Sequence, residues 1–111
     1  MLKILEDNTI QLTRGDTAAI TVDIIDEVSS TQYQMASDDT LTLSVKRSVD
    51  DPKYYFQKIV TGTNRITIEP ADTRNLGYGT YVYDVQLGRV TGGVSTVIEP
   101  ATFELLTEVT W

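Results

Sequence analysis

The chain contains neither cysteine nor histidine. The first absence excludes disulfides, a thiolate nucleophile and a zinc-thiolate site. With both missing, neither a Ser-His-Asp nor a Cys-His arrangement can be assembled from this polypeptide. Basic residues are also scarce. Nine Lys plus Arg stand against sixteen Asp plus Glu, a net charge of −7, which repels phosphate backbones and anionic lipid surfaces. Nucleic acid and membranes are therefore not expected as partners. No apolar run approaches the roughly 18 residues of a membrane span. The opening Met1-Leu2-Lys3-Ile4-Leu5-Glu6-Asp7 lacks the apolar core of a secretory signal, so the chain reads as a cytoplasmic product. Neither a G-x-x-x-x-G-K-[ST] nor a G-x-G-x-x-G phosphate cradle occurs, and no EF-hand spacing, so no cofactor is expected.

What is present is a succession of short alternating segments separated by polar turns. Apolar residues make up 41% and charged residues 23% of 111 positions, values that allow one ordinary core and argue against wholesale disorder. With no repeat, linker or low-complexity tract, a single domain over 1–111 is expected. Ile10 and Leu12 begin the pattern, and Arg14-Gly15-Asp16 turns the chain. Ala18, Ile20, Val22 and Ile24 then alternate with Ala19, Thr21, Asp23 and Ile25, the period of two that puts each set on one face of a strand. Residues 26–39 read as a polar loop holding at most a short strand, with an apolar interruption at Tyr33 and Met35, before Leu41, Leu43 and Val45 face inward. After the Asp50-Asp51-Pro52 turn, Tyr54 to Val60 forms a strand with Arg65 to Ile68 as its hairpin partner. One helical turn is expected near 71–76, with Asp72 capping it and Gly77 stopping it. Tyr81, Tyr83, Val85 and Leu87 share the core face of a strand from Thr80 to Arg89. Val94 to Ile98 returns antiparallel to it, and Pro100 breaks the ladder before Ala101 to Leu106. Seven to eight strands at this spacing predict an all-β, antiparallel β-sandwich, with a small barrel as the alternative.

Few residues offer chemistry. The acid pairs Asp26-Glu27, Asp38-Asp39 and Asp50-Asp51 could supply two carboxylates for glycoside hydrolysis, but adjacent acids in turns read first as solvated turn formers. Arg14-Gly15-Asp16 spells an integrin-binding tripeptide, and glycine's tolerance of positive φ explains it more simply as a turn. Tyr54, Tyr55, Phe56 and Tyr78 cluster near loops and could form a platform for sugar faces, although strand aromatics usually fill a core. Trp111 either tucks against its own sandwich or anchors a neighbouring subunit, as tryptophan commonly does at interfaces. No catalytic and no metal-binding residues are assigned.

Asp72, Gly79, Tyr81 and Tyr83 resemble the approach to strand F of immunoglobulin domains, with Tyr83 where the cysteine would stand. The resemblance implies an Ig-like sandwich in which Tyr81 is a corner residue, its hydroxyl bonding back to the main chain. A closer likeness rests on four stretches: Arg14-Gly15-Asp16-Thr17, Leu41 to Lys46, Gly79 to Leu87, and Glu108-Val109-Thr110-Trp111. In order and spacing these resemble small β-sandwich proteins of phage and prophage tails and baseplates in Gram-positive bacteria, including the N-terminal domain of upper baseplate proteins. That likeness implies a non-enzymatic structural role. It also implies other tail or baseplate proteins as partners, self-association, and a place in the virion after synthesis in the bacterial cytoplasm. Trp111, Val109 and Tyr78 are the expected interface residues. The alternative is a carbohydrate-binding or adhesion module using Tyr54, Tyr55 and Tyr78.

Overall fold

The computed structural model describes residues 2–4, 7–26 and 30–107, the side chains of 2–4 and 26 excepted. The described chain is all-β with one short helix. In chain order it runs β1 (Leu2–Ile4), β2 (Ile10–Thr13), β3 (Ala18–Thr21), β4 (Ile25–Asp26), β5 (Thr31–Gln32), β6 (Thr40–Lys46), β7 (Phe56–Thr61), β8 (Arg65–Ile68), α1 (Pro70–Thr73), β9 (Gly79–Gly88) and β10 (Val94–Leu106). Six strands form a sheet in the order β1-β2-β10-β9-β6-β7, while β3 pairs with β8 and β4 with β5.

Alternation in the sequence becomes alternation in burial. In β6, Leu41, Leu43 and Val45 are completely buried while Thr42 and Ser44 turn to the other face. Opposite them in β9, Leu87 pairs with Leu41, Val85 with Leu43 and Tyr83 with Val45. Ala18 and Ile20 of β3 and Ile66 and Ile68 of β8 close the same cluster from the smaller sheet. Burial of side chains such as these contributes about 1.5–3 kcal/mol each, which is what holds two sheets face to face. Phe103 sits in the middle, edge-on to Phe56 at 5.9 Å and to Tyr83 at 6.4 Å between ring centroids.

The pairing departs from expectation in several places. The large sheet is mixed, because β10 runs parallel to β2, with Phe103 opposite Ile10 and Leu105 opposite Leu12. β8 is not the hairpin partner of β7. It pairs antiparallel with β3, Ile66 opposite Ile20 and Ile68 opposite Ala18, so residues 62–64 carry the chain from one sheet to the other. A tight two-residue hairpin of type I′ needs two consecutive positive φ values, and here Gly62 supplies one, at 71°. The main chain of Asn64 instead accepts a bond from the Val22 N–H at 2.9 Å.

Nor does Pro100 end a strand. β10 continues through it, with register shifts between Thr96 and Ile98 and between Ile98 and Ala101. A bulge removes the need for a ladder donor, which is where proline can sit inside a sheet. The described strands number ten rather than seven or eight. Leu2–Ile4 adds an edge, β4 and β5 form a small ribbon within the polar loop, and 94–106 is continuous. The helix begins earlier than expected. Glu69 is its N-cap and Asp72, the third helical residue, closes a capping box, its Oδ2 accepting the Glu69 N–H at 2.7 Å.

Candidate functional site

The ends of β6 define two loop clusters. At its C-terminal end the tyrosine-rich segments meet. Tyr81, buried within β9, donates its hydroxyl to the Gly77 carbonyl at 2.7 Å, closing the turn that feeds the strand. The Tyr55 ring stands edge-on to Tyr81 at 5.3 Å, and the Arg47 guanidinium lies 5.1 Å from the Tyr81 ring centroid. Gly79, at φ 134°, has the Arg47 Nη1 3.9 Å from where a Cβ would be. Arg14 lies 4.2 Å over the Tyr78 ring and donates to the Tyr78 hydroxyl at 2.8 Å and to the Leu76 carbonyl at 3.1 Å. Its neighbour Gly15 donates to the buried Thr73 hydroxyl at 2.9 Å. The Arg14-Gly15-Asp16 turn is thus docked on the turn after α1, with its arginine engaged inside the chain.

Of the tyrosine platform, Tyr54 and Tyr55 are half exposed and Tyr78 nearly so, whereas Phe56 is buried against Phe103 and drops out of any surface cluster. Asp72, besides its capping role, pairs with the Lys58 ammonium at 3.0 Å. Val109 and Trp111 lie outside the described residues, as does Glu27, and the side chain of Asp26 is among those not described.

The opposite end turns on Asp39, fully buried immediately before β6. Its Oδ2 accepts the Tyr33 hydroxyl at 2.6 Å and the Ala36 N–H at 2.9 Å, and its Oδ1 accepts the Val90 N–H at 2.9 Å. Its main-chain carbonyl accepts the Gly62 N–H at 2.8 Å. One aspartate therefore ties residues 33–36, the 62–64 turn and the β9–β10 hairpin to the start of β6. The Tyr33 hydroxyl bond, then those from Val90 and Ala36, hold its carboxyl below the usual carboxylate range, because they stabilise the charged form. The expectation that Asp38-Asp39 is a solvated turn is corrected for Asp39, while Asp38 is exposed. Nothing local distinguishes the two acids; the loops that fold over Asp39 do.

Asp51 behaves as a turn former, accepting the Lys53 N–H at 3.1 Å. It lies past the far end of β6 from Asp39. Seven strand residues at about 3.3 Å each put the two roughly 20 Å apart, beyond the roughly 5–9.5 Å that glycoside hydrolysis asks of its carboxylates. Among the described residues no group of three Asp or Glu is placed to hold a metal ion, and no helix is long and apolar enough to cross a membrane.

Hollows open at two places on the described surface. A small one of about 60 Å³ opens on the outer face of the large sheet beside Pro100, with Lys46 and Asp84 in its lining. Partial burial raises the Asp84 carboxyl above its ordinary value, opposed by Lys46 and reinforced by Glu99. Across β9, the Tyr83 hydroxyl donates to the Asn8 carbonyl, and burial followed by the charge of Asp7 pushes that phenol up to about 12. The larger hollow lies at the Asp39 end, between residues 32–35 and 62–64. No protein-family model matches the chain, and no curated protein matches it significantly.

Proposed function

We propose that this chain is a non-enzymatic assembly module of a phage or prophage tail or baseplate, made in the bacterial cytoplasm and built into the virion. The observation that supports it most is β7, which ends the six-stranded sheet and turns outward Ile59, 61% exposed. A strand with a free edge offers backbone donors and acceptors to another chain, and a protruding isoleucine adds apolar contact to such an addition. Repetition of one modest contact around a symmetric particle multiplies its strength. The partners are further copies of this chain and other tail or baseplate proteins, in keeping with the resemblance of its strand and turn patterns to those proteins.

The test is the mass of the chain by light scattering, alone and mixed with the products of its flanking genes. Flanking tail genes and a complex that Ile59→Lys dissolves, with the variant still folded, are the expected results. Flanking genes unrelated to a particle, together with an unchanged monomer mass in every mixture, would sink the reading. Truncation after Leu106 asks the same of Val109 and Trp111: a smaller assembly with intact folding is expected, and an unchanged one removes them from the interface.

A further inference from the structure

At the Asp39 end, the larger hollow of about 200 Å³ is cut between Gln32, Tyr33, Gln34 and Met35 on one side and Gly62, Thr63 and Asn64 on the other. We infer that it is a binding site for a neutral carbohydrate ring. The inference does not depend on the assembly role and places sugar recognition at the opposite end from Tyr54, Tyr55 and Tyr78.

The lining selects the ligand class. The Gln34 amide presents an acceptor and two donors in one plane, the Gln32 amide keeps its acceptor while its Nε2 donates to the Asp23 carboxylate at 3.5 Å, and the Thr63 hydroxyl can donate while its oxygen accepts the Arg65 N–H at 3.2 Å. Adjacent hydroxyls on a sugar ring both donate and accept, so they match such groups pairwise. Tyr33 and Met35 pack against the core, and the Arg89 guanidinium lies 5.2 Å from the Tyr33 ring centroid, so the lining is mostly polar and hydrogen bonds rather than ring stacking select the ligand. No acidic or basic side chain lines the hollow, and the chain as a whole carries −7. Phosphorylated and carboxylated ligands therefore find no counter-charge among the lining residues, the nearby Arg89 guanidinium being engaged over the Tyr33 ring and facing the Asp39 carboxylate. The volume falls below the roughly 300–1,000 Å³ of sites for drug-sized molecules, which suits one ring of a chain rather than an extended segment.

Both walls are held before any ligand arrives. Asp39 accepts the Tyr33 hydroxyl on one side and, through its main-chain carbonyl, the Gly62 N–H on the other. Gly62 approaches residue 37 so closely that a Cβ would stand 2.8 Å from the Ser37 carbonyl oxygen. Asn64 is fixed by its Nδ2 donating to the Val22 carbonyl at 3.0 Å. A site whose walls are fixed loses little entropy on binding.

The experiment is an amide-resonance titration of the whole chain with glucose, galactose, mannose and N-acetylglucosamine, with glucuronate as the charged control. At least one neutral sugar should shift the resonances of residues 32–35 and 62–64 saturably in the millimolar range, and glucuronate should not. Gln34→Ala and Thr63→Val, both at exposed positions, should each weaken that binding about five-fold, the equivalent of one lost hydrogen bond, while the rest of the spectrum stays in place. Absence of saturable shifts at these residues with every neutral sugar overturns the proposal. So do shifts confined to Tyr54, Tyr55 and Tyr78, equal binding of glucuronate, or full affinity in both variants.

Discussion

Asp39 organises one end of the molecule by offering acceptors to three separate segments. Asparagine in its place could keep one oxygen but would turn an N–H₂ toward N–H or O–H donors, so the cluster would lose bonds and gain an unfavourable contact. The pH dependence follows from the lowered carboxyl. Its contribution is present above the unfolded value of about 3.9 and is lost as pH falls through the lower, folded value. Asp84, raised by burial, acts in the opposite sense, and its contribution is lost as pH rises. Thermal melts from neutral to acidic pH should therefore show the native chain losing stability below about pH 4. Asp39→Asn should start from a lower midpoint and vary less over the same acidic window. A mutant that melts in parallel with the native chain at every pH would show that the carboxylate charge at Asp39 contributes nothing.

Among the elements, the 62–64 turn shows how one residue type fixes a crossing between sheets. Gly62 combines a φ of 71° with main chain packed where a side chain would begin, whereas Gly77 has open space around it. Gly62→Ala should cost about 1–3 kcal/mol, the range for a strained backbone position, and Gly77→Ala should be close to neutral; urea unfolding of the two variants measures the difference. The central strands are legible from alternation, whereas β1, β4 and β5 are too short to show it. The Leu41, Leu43, Val45 and Tyr81, Tyr83, Val85, Leu87 faces are where the period of two puts them. Their partners were not legible, because pairing is settled by which apolar faces meet across the core. Thr61-Gly62-Thr63-Asn64 has the composition of a hairpin turn and serves as a crossover. Pro100, a breaker by its chemistry, is absorbed because a bulge leaves it no ladder bond to make.

For the molecule as a whole, Phe103 joins the two ends of the chain, pairing with Ile10 in β2 and Tyr81 in β9 while its ring meets Phe56 and Tyr83. Phe103→Ala should destabilise the fold by about 3–5 kcal/mol, a large part of the roughly 5–15 kcal/mol that holds a domain together. The denaturant midpoint should fall with the slope unchanged if the remaining core still unfolds as one unit. The sequence by itself determined the all-β class, the inward faces of β6, β8 and β9 and the exclusion of histidine and cysteine chemistry, because composition and a period of two are local properties of the chain. Only the tertiary structure decided the parallel pairing of β10 with β2, the burial of Asp39 rather than Asp38, and the meeting of residues 32–35 with 62–64. Each of these depends on segments far apart in the chain being brought together by the packing of the two sheets, and no short stretch of residues encodes that distance.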